Sequence, residues 1–329
     1  MIGSTPGERA EGSRAAHGAM TRRRLAVALG WVWVIDAVLQ AEPPNFARSY
    51  PLGQLAQSVM GAPPWEHRAI YDLIGPFVTH WPLWNLAAVV VQAAIGVALV
   101  SGSAPRVALA ASLAWAPVVW LVGEGLGGMP TGFGMLLFGA PGPVLLYAVL
   151  AVLAWPGTGS RPVSSGAWRT TWGALWAGGA LLQIPWVYPT GEMFRANFEE
   201  AALGQPAWAT AVSGDVERVV LAAPVLWSAL LATFAVAVAV GGVVHSRYRR
   251  VWLAVAIGFS AVAWVVAQLF GGVLTWGATD IGTAPLVVLL ALAGWSVHVP
   301  AIHSSRRTGS TGGRATLARC LDTSPPLGA

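Results

Sequence analysis

The chain has 329 residues, of which 55% are hydrophobic and only 10% charged, with a mean hydropathy of +0.61. About a quarter of a soluble domain's residues are charged, so this composition excludes an ordinary globular enzyme. All 19 basic residues are arginine, which removes lysine-based chemistry, and the single Cys320 rules out a disulfide framework.

A membrane helix needs about 20 mostly apolar residues. Eight segments qualify in chain order: 25–41, 82–101, 106–124, 136–155, 170–187, 219–242, 251–270 and 284–300. Their interiors are free of Asp, Glu and Arg except for Asp36 in the first, with Arg106 and Glu124 at the ends of the third. The connecting segments alternate in charge. Fifteen arginines fall on one side; Arg48, Arg68, Arg195 and Arg218 fall on the other, together with nine acids that include Asp280. The positive-inside rule places the arginine-rich side, and both termini, in the cytoplasm of a plasma-membrane protein. The pI near 10 therefore speaks for membrane topology and not for nucleic acid.

Arg22-Arg23-Arg24 before an apolar run has the look of a signal peptide. The chain repeats itself, however, and the same segment recurs at mid-chain. Gly30 through Gln40 aligns with Gly173 through Gln183 at an offset of 143, which also maps Gly61, Pro63, Trp65 and Trp84 onto Gly204, Pro206, Trp208 and Trp227. An offset of 144 then maps Trp120, Glu124, Gly127, Gly128 and Thr131 onto Trp264, Gln268, Gly271, Gly272 and Thr275, and Ala140-Pro141 onto Ala284-Pro285. The expected architecture is all-α: two tandem four-helix membrane units, at 23–157 and 169–303. A cytoplasmic linker (158–168) joins them, and disordered tails (1–22 and 304–329) flank them. Four helices per unit make this a parallel repeat. Within the outer segments, Leu52, Leu55, Ala56 and Val59 fall at helical spacing, as do Trp65, Ala69, Leu73 and Phe77, and Phe194, Phe198 and Ala201. They read as short amphipathic helices that pack on the bundle or cover a cavity.

Asp36 is the sharpest candidate for chemistry. A charge at that depth is costly, so it should face the bundle interior, be paired, or be protonated. Gln40 lies one turn further out on the same face, and Glu124 sits at similar depth at the end of the third segment. The three are expected to converge on an outward polar pocket. In the second unit Gly179 stands for Asp36, Gln183 for Gln40 and Gln268 for Glu124, so ionisable chemistry belongs to the first unit. Trp33 and Trp120, with Trp31, Trp81, Trp84, Trp115, Trp264 and Trp276, offer either interfacial anchoring or walls for a flat ligand such as a quinone. His67 with Glu66 and Asp72 is a weak metal candidate, and His245 with His298 a weak haem candidate. No Ser-His-Asp, HExxH, P-loop or Rossmann pattern occurs.

Four helices per unit, a long excursion after the first and a Glu-Gly pair near the end of the third resemble the DoxX-like small membrane proteins, and polytopic membrane proteins of actinobacteria that carry this unit. The residues behind the resemblance are Leu39-Gln40, Gly61-Ala62-Pro63-Pro64-Trp65, Trp84-Asn85, Gly123-Glu124-Gly125-Leu126-Gly127-Gly128, Gly139-Ala140-Pro141-Gly142 and Leu145-Leu146-Tyr147. It covers 24–156 well and 168–300 more weakly. It implies an accessory or cofactor-binding role in a quinone- or thiol-linked redox assembly, with a membrane protein partner, and it carries over no catalytic residue. The alternative, read from the acids, is a carrier of a small solute or proton through the Asp36 and Glu124 region.

Overall fold

The computed structural model describes residues 20–47, 49–51, 64–130, 133–158, 161–184, 190–244 and 248–295. Its elements are helices α1 (Arg22–Gln40), α2 (Pro64–Thr79), α3 (Trp81–Ser101), α4 (Pro105–Val122), α5 (Pro143–Ala154), α6 (Ser165–Leu181), α7 (Thr190–Ala202), α8 (Ala207–Leu221), α9 (Pro224–Val244), α10 (Arg249–Val266) and α11 (Thr283–Trp295). Four 3-10 turns, at Pro43–Phe46, Gly125–Gly128, Leu136–Phe138 and Leu269–Thr275, join them. Among the described residues there is no strand, only an isolated bridge between Thr21 and Pro162. Helices α3, α4, α9 and α10 (the last with its continuation to Thr275) are long and apolar enough to cross a membrane. This is a helical protein of membrane type.

Local chemistry sets the helix starts. The Thr21 hydroxyl accepts from the Arg24 N–H at 3.2 Å, and the Ser164 hydroxyl from the Ala167 N–H at 3.4 Å, capping α1 and α6. Pro105 and Pro143 sit in the first turns of α4 and α5, where a missing N–H costs nothing.

The expected helix over 136–155 is corrected. Only Pro143–Ala154 is α-helical, 12 residues or about 18 Å at the standard rise, short of a bilayer core. The preceding stretch turns at Leu136–Phe138 and runs irregularly to Gly142, whose φ of 102° favours glycine. The apolar run misled because burial, and not helical continuity, is what it records. The last segment, expected at 284–300, begins its helix at Thr283, and α11 is described as far as Trp295, the remaining residues of the segment lying outside the described ones. The segment expected at 219–242 is split, since α8 ends at Leu221 and α9 starts at Pro224.

The packing pattern occurs twice. α1 packs on α3, α4 on α5, and α5 also touches α1. In the second half α6 packs on α9, α10 on α11, and α11 also touches α6. Helices α5 and α11 touch each other across the molecule. On α6 the Trp168, Trp172 and Trp176 rings form a stripe four residues apart, with centroids 5.3 and 5.6 Å apart. Trp168 donates its indole N–H to Leu290 O at 2.8 Å and Trp172 to Val238 O at 3.1 Å, which ties α6 to α11 and α9.

The outer helices differ in how they pack. Phe194 and Phe198 of α7 are buried against Phe138, so this stripe faces the bundle. Trp65 of α2 and Trp208 of α8 are exposed. The stripe at Leu52, Leu55, Ala56 and Val59 lies outside the described residues, as do the two tails and His245, His298 and His303.

Candidate functional site: a carboxylate cluster

Asp36 sits on the inner face of α1, 2% exposed. Its Oδ2 accepts a hydrogen bond from the Tyr147 hydroxyl of α5, and its Oδ1 is buried without a protein partner. The Ile281 backbone lies beside it, and the Asp280 charge acts on it. Tyr147 is fully buried, with its ring edge against Trp33 at 4.5 Å. The Trp33 indole N–H donates to Ser112 Oγ at 3.0 Å, which fixes the ring that in turn fixes the tyrosine.

Glu124 follows α4. Its Oε1 accepts the Val144 N–H at 2.9 Å, so it caps the first turn of α5. A carboxylate at a helix N-terminus meets an unsatisfied donor and the positive end of the helix dipole. Its Oε2 is buried without a partner and faces Gly142, where any Cβ would collide with it. The Trp120 indole N–H donates to Pro141 O at 2.7 Å and holds the irregular stretch against α4.

Asp280 lies in the loop before α11. Its Oδ1 accepts the Gly282 N–H at 2.7 Å, and Thr279 donates its hydroxyl to Oδ2 at 3.4 Å. Burial pushes its carboxyl above the usual carboxylate range, against these two hydrogen bonds. Asn45, fully buried in the turn after α1, donates to Leu39 O at 3.0 Å and Ala278 O at 3.1 Å, pinning this loop over the cluster. Tyr50 stacks on Trp81 at 5.2 Å and lies beside Thr279 and Asp280.

Asp36, Glu124 and Asp280 thus act electrostatically on one another, with Tyr147 among them. Among the described residues, no arginine or histidine pairs with any of the three acids. Two of the acids stand at the N-terminal ends of helices α5 and α11. Helix starts offer unpaired backbone donors that hold charged groups.

Of the residues singled out by sequence, Asp36, Glu124, Trp33 and Trp120 meet around this cluster. Gln40 is occupied elsewhere: its amide donates to Asn85 Oδ1 while Asn85 donates to Gln40 O at 3.1 Å, clamping α1 to α3. Gln183, in the turn after α6, donates its amide to Gly179 O at 3.4 Å, and its backbone carbonyl accepts from the Ser228 hydroxyl of α9. Gln268 donates to Leu137 O at 3.3 Å, and its Oε1 is buried without a partner. Trp31, Trp84 and Trp276 are exposed, away from Trp33. Among the described residues no cluster of His, Cys, Asp and Glu is arranged to hold a metal, and His67 stacks on Tyr71 at 4.4 Å.

Sequence reasoning missed Asp280 and Tyr147. Asp280 counts as a loop acid by position alone, and nothing local betrays a long-range contact. Tyr147 carries a weak signal, as one of five tyrosines and the polar interruption of an apolar helix.

Two expectations follow. Glu124→Ala removes the α5 cap and is expected to lower stability by about 0.5–2 kcal/mol. Glu124→Gln keeps an acceptor and is expected to match wild type in a thermal melt. The raised Asp280 carboxyl adds a pH dependence. An acid whose folded pKa lies above its unfolded value stabilises the fold while protonated. That contribution is whole below the unfolded carboxylate range and is lost as pH rises through the folded value. Melting temperature is therefore expected to fall with rising pH, and less steeply in Asp280→Asn.

A scan of family models, a search of curated proteins and a search of solved structures each find no match to this chain. The DoxX-like resemblance therefore stands on its quoted residues alone.

Proposed function

We propose that this chain is a multi-pass protein of the cytoplasmic membrane, built of two tandem four-helix units with both termini inside, and that it carries protons through its acid cluster. The observation that carries this reading is three carboxylates and a phenol that act electrostatically on one another, two of the acids at the starts of α5 and α11, with no arginine or histidine paired to the acids among the described residues. Carboxylates held largely away from water and within reach of one another's charge do not all ionise at once. They share protons, and ionisable groups at membrane depth mark ion and proton routes.

Matched local geometry supports the tandem repeat. Trp120 donates to Pro141 O, and Trp264 to Ile281 O at 2.9 Å. Glu124 Oε2 faces Gly142, and Gln268 Oε1 lies 3.4 Å from where a Gly282 Cβ would sit. The turns after α4 and α10 each hold a non-glycine residue and a glycine at positive φ, Leu126-Gly127 and Phe270-Gly271. By this geometry Gly142 matches Gly282, so the register after the turns differs from the sequence alignment of Ala140-Pro141 with Ala284-Pro285. Tyr147 is then matched by Val287, and Asp36 by Gly179. The second unit keeps the scaffold without the acid–phenol pair. An accessory role in a redox assembly draws on the resemblance alone.

The test is proton flux. Purified protein in liposomes, with a trapped pH dye and a potassium gradient opened by valinomycin, is expected to take up protons faster than protein-free liposomes. Equal rates would overturn the carrier reading.

A further inference from the structure

A cavity of about 20 Å³, which is room for one water molecule, lies among residues of the second unit and the Leu136–Ala140 stretch of the first. It is lined by Trp176, Ser260, Gln268 and Thr283, with apolar walls that include Leu136 and Val287. Trp176 is 2% exposed, and its indole N–H has no acceptor. The buried Gln268 Oε1 has no donor. Two residues that line a void of water size thus carry a buried donor and a buried acceptor without a partner, and each such orphan is costly.

Comparison with the first unit shows where the orphans come from. Trp33, which matches Trp176, donates to Ser112. At the position matching Ser112 stands Ala256, fully buried, which offers no acceptor. Where the first unit has Asp36 and Tyr147, the second has Gly179 and Val287. Leu136 stands 2.9 Å from where a Gly179 Cβ would sit, and Leu136 and Val287 both line the cavity.

We infer that this cavity is a binding site for a single neutral, water-sized molecule that accepts from the Trp176 indole and donates to Gln268. Ordered waters of this kind satisfy buried polar groups and form part of the fold. The occupant is water, and the site is the uncharged counterpart of the acid cluster. The inference does not depend on proton transport, because the void and its two unpartnered atoms stand without it.

The test is water cross-relaxation in NMR spectra of the full-length protein carrying indole-15N tryptophan. The Trp176 indole proton is expected to show a cross-peak to a long-lived bound water. Trp176→Phe removes that cross-peak and assigns it. Should that variant fail to fold, Ala256→Ser gives the indole the hydroxyl that Ser112 gives Trp33, and the resulting shift assigns the signal. A Trp176 indole proton that shows cross-peaks to protein protons only would mean a dry cavity and overturn the inference. This outcome is separable from a failure of proton flux, which leaves the spectrum unchanged.

Discussion

Asp36→Asn is expected to slow proton flux into liposomes by about 100-fold or more, the low end of what a positioned proton-transfer group contributes. Asparagine keeps the shape and still accepts from Tyr147, so the Asp36–Tyr147 contact between α1 and α5 survives. Yield, detergent behaviour and melting temperature are therefore expected to stay close to wild type while the flux is lost. A variant with full flux would show that protons take another route. Tyr147→Phe tests the partner: it strands a second oxygen of Asp36, beside the Oδ1 that already lacks a partner, and is expected to slow flux and lower stability together.

The second large effect concerns stability at matched positions. Gly30 of α1 and Gly96 of α3 bring two backbones together. A Cβ on Gly30 would stand 2.9 Å from Gly96 O and 3.0 Å from Val100 N. Those atoms belong to the facing helix backbone and cannot step aside. Small residues at such crossings let membrane helices pack closely. Gly30→Ala is expected to cost about 1–3 kcal/mol, the range of an overpacked core. Gly173 matches Gly30, yet a Cβ there meets only a Val243 methyl at 3.5 Å, an ordinary contact. Gly173→Ala is expected to be neutral, or to stabilise by up to about 1 kcal/mol through helix propensity. Thermal melts of the two variants in one detergent compare them directly. Equal effects would mean that the two crossings are not packed differently.

The sequence reads well where its signal is local. Apolar length marks α3, α4, α9 and α10, the helices long enough to cross a membrane. It reads poorly where apolar residues are buried without being helical. The 136–142 stretch is as hydrophobic as a helix because protein surrounds it, and only its glycines hint at the break. The site is legible in part for the same reason. Asp36 stands out as a charge in an apolar run, and Glu124 as a charge at the end of one. Asp280 sits in a polar loop, and its approach to Asp36 depends on α11 meeting α1 across some 240 residues of chain, which no local pattern encodes. Gln40 shares a helical face with Asp36, yet Asn85 claims it. Helical spacing fixes a face, and the neighbouring helix decides its partner.

The central claim is that the acid cluster holds protons at neutral pH. Infrared spectroscopy of the protein in lipid reads this directly, through the carbonyl band of protonated carboxylic acids. The account predicts such a band at neutral pH, shifted by deuterium exchange and weakened in Asp36→Asn, Glu124→Gln and Asp280→Asn. A spectrum with ionised carboxylates only, unchanged across the three variants, would contradict it.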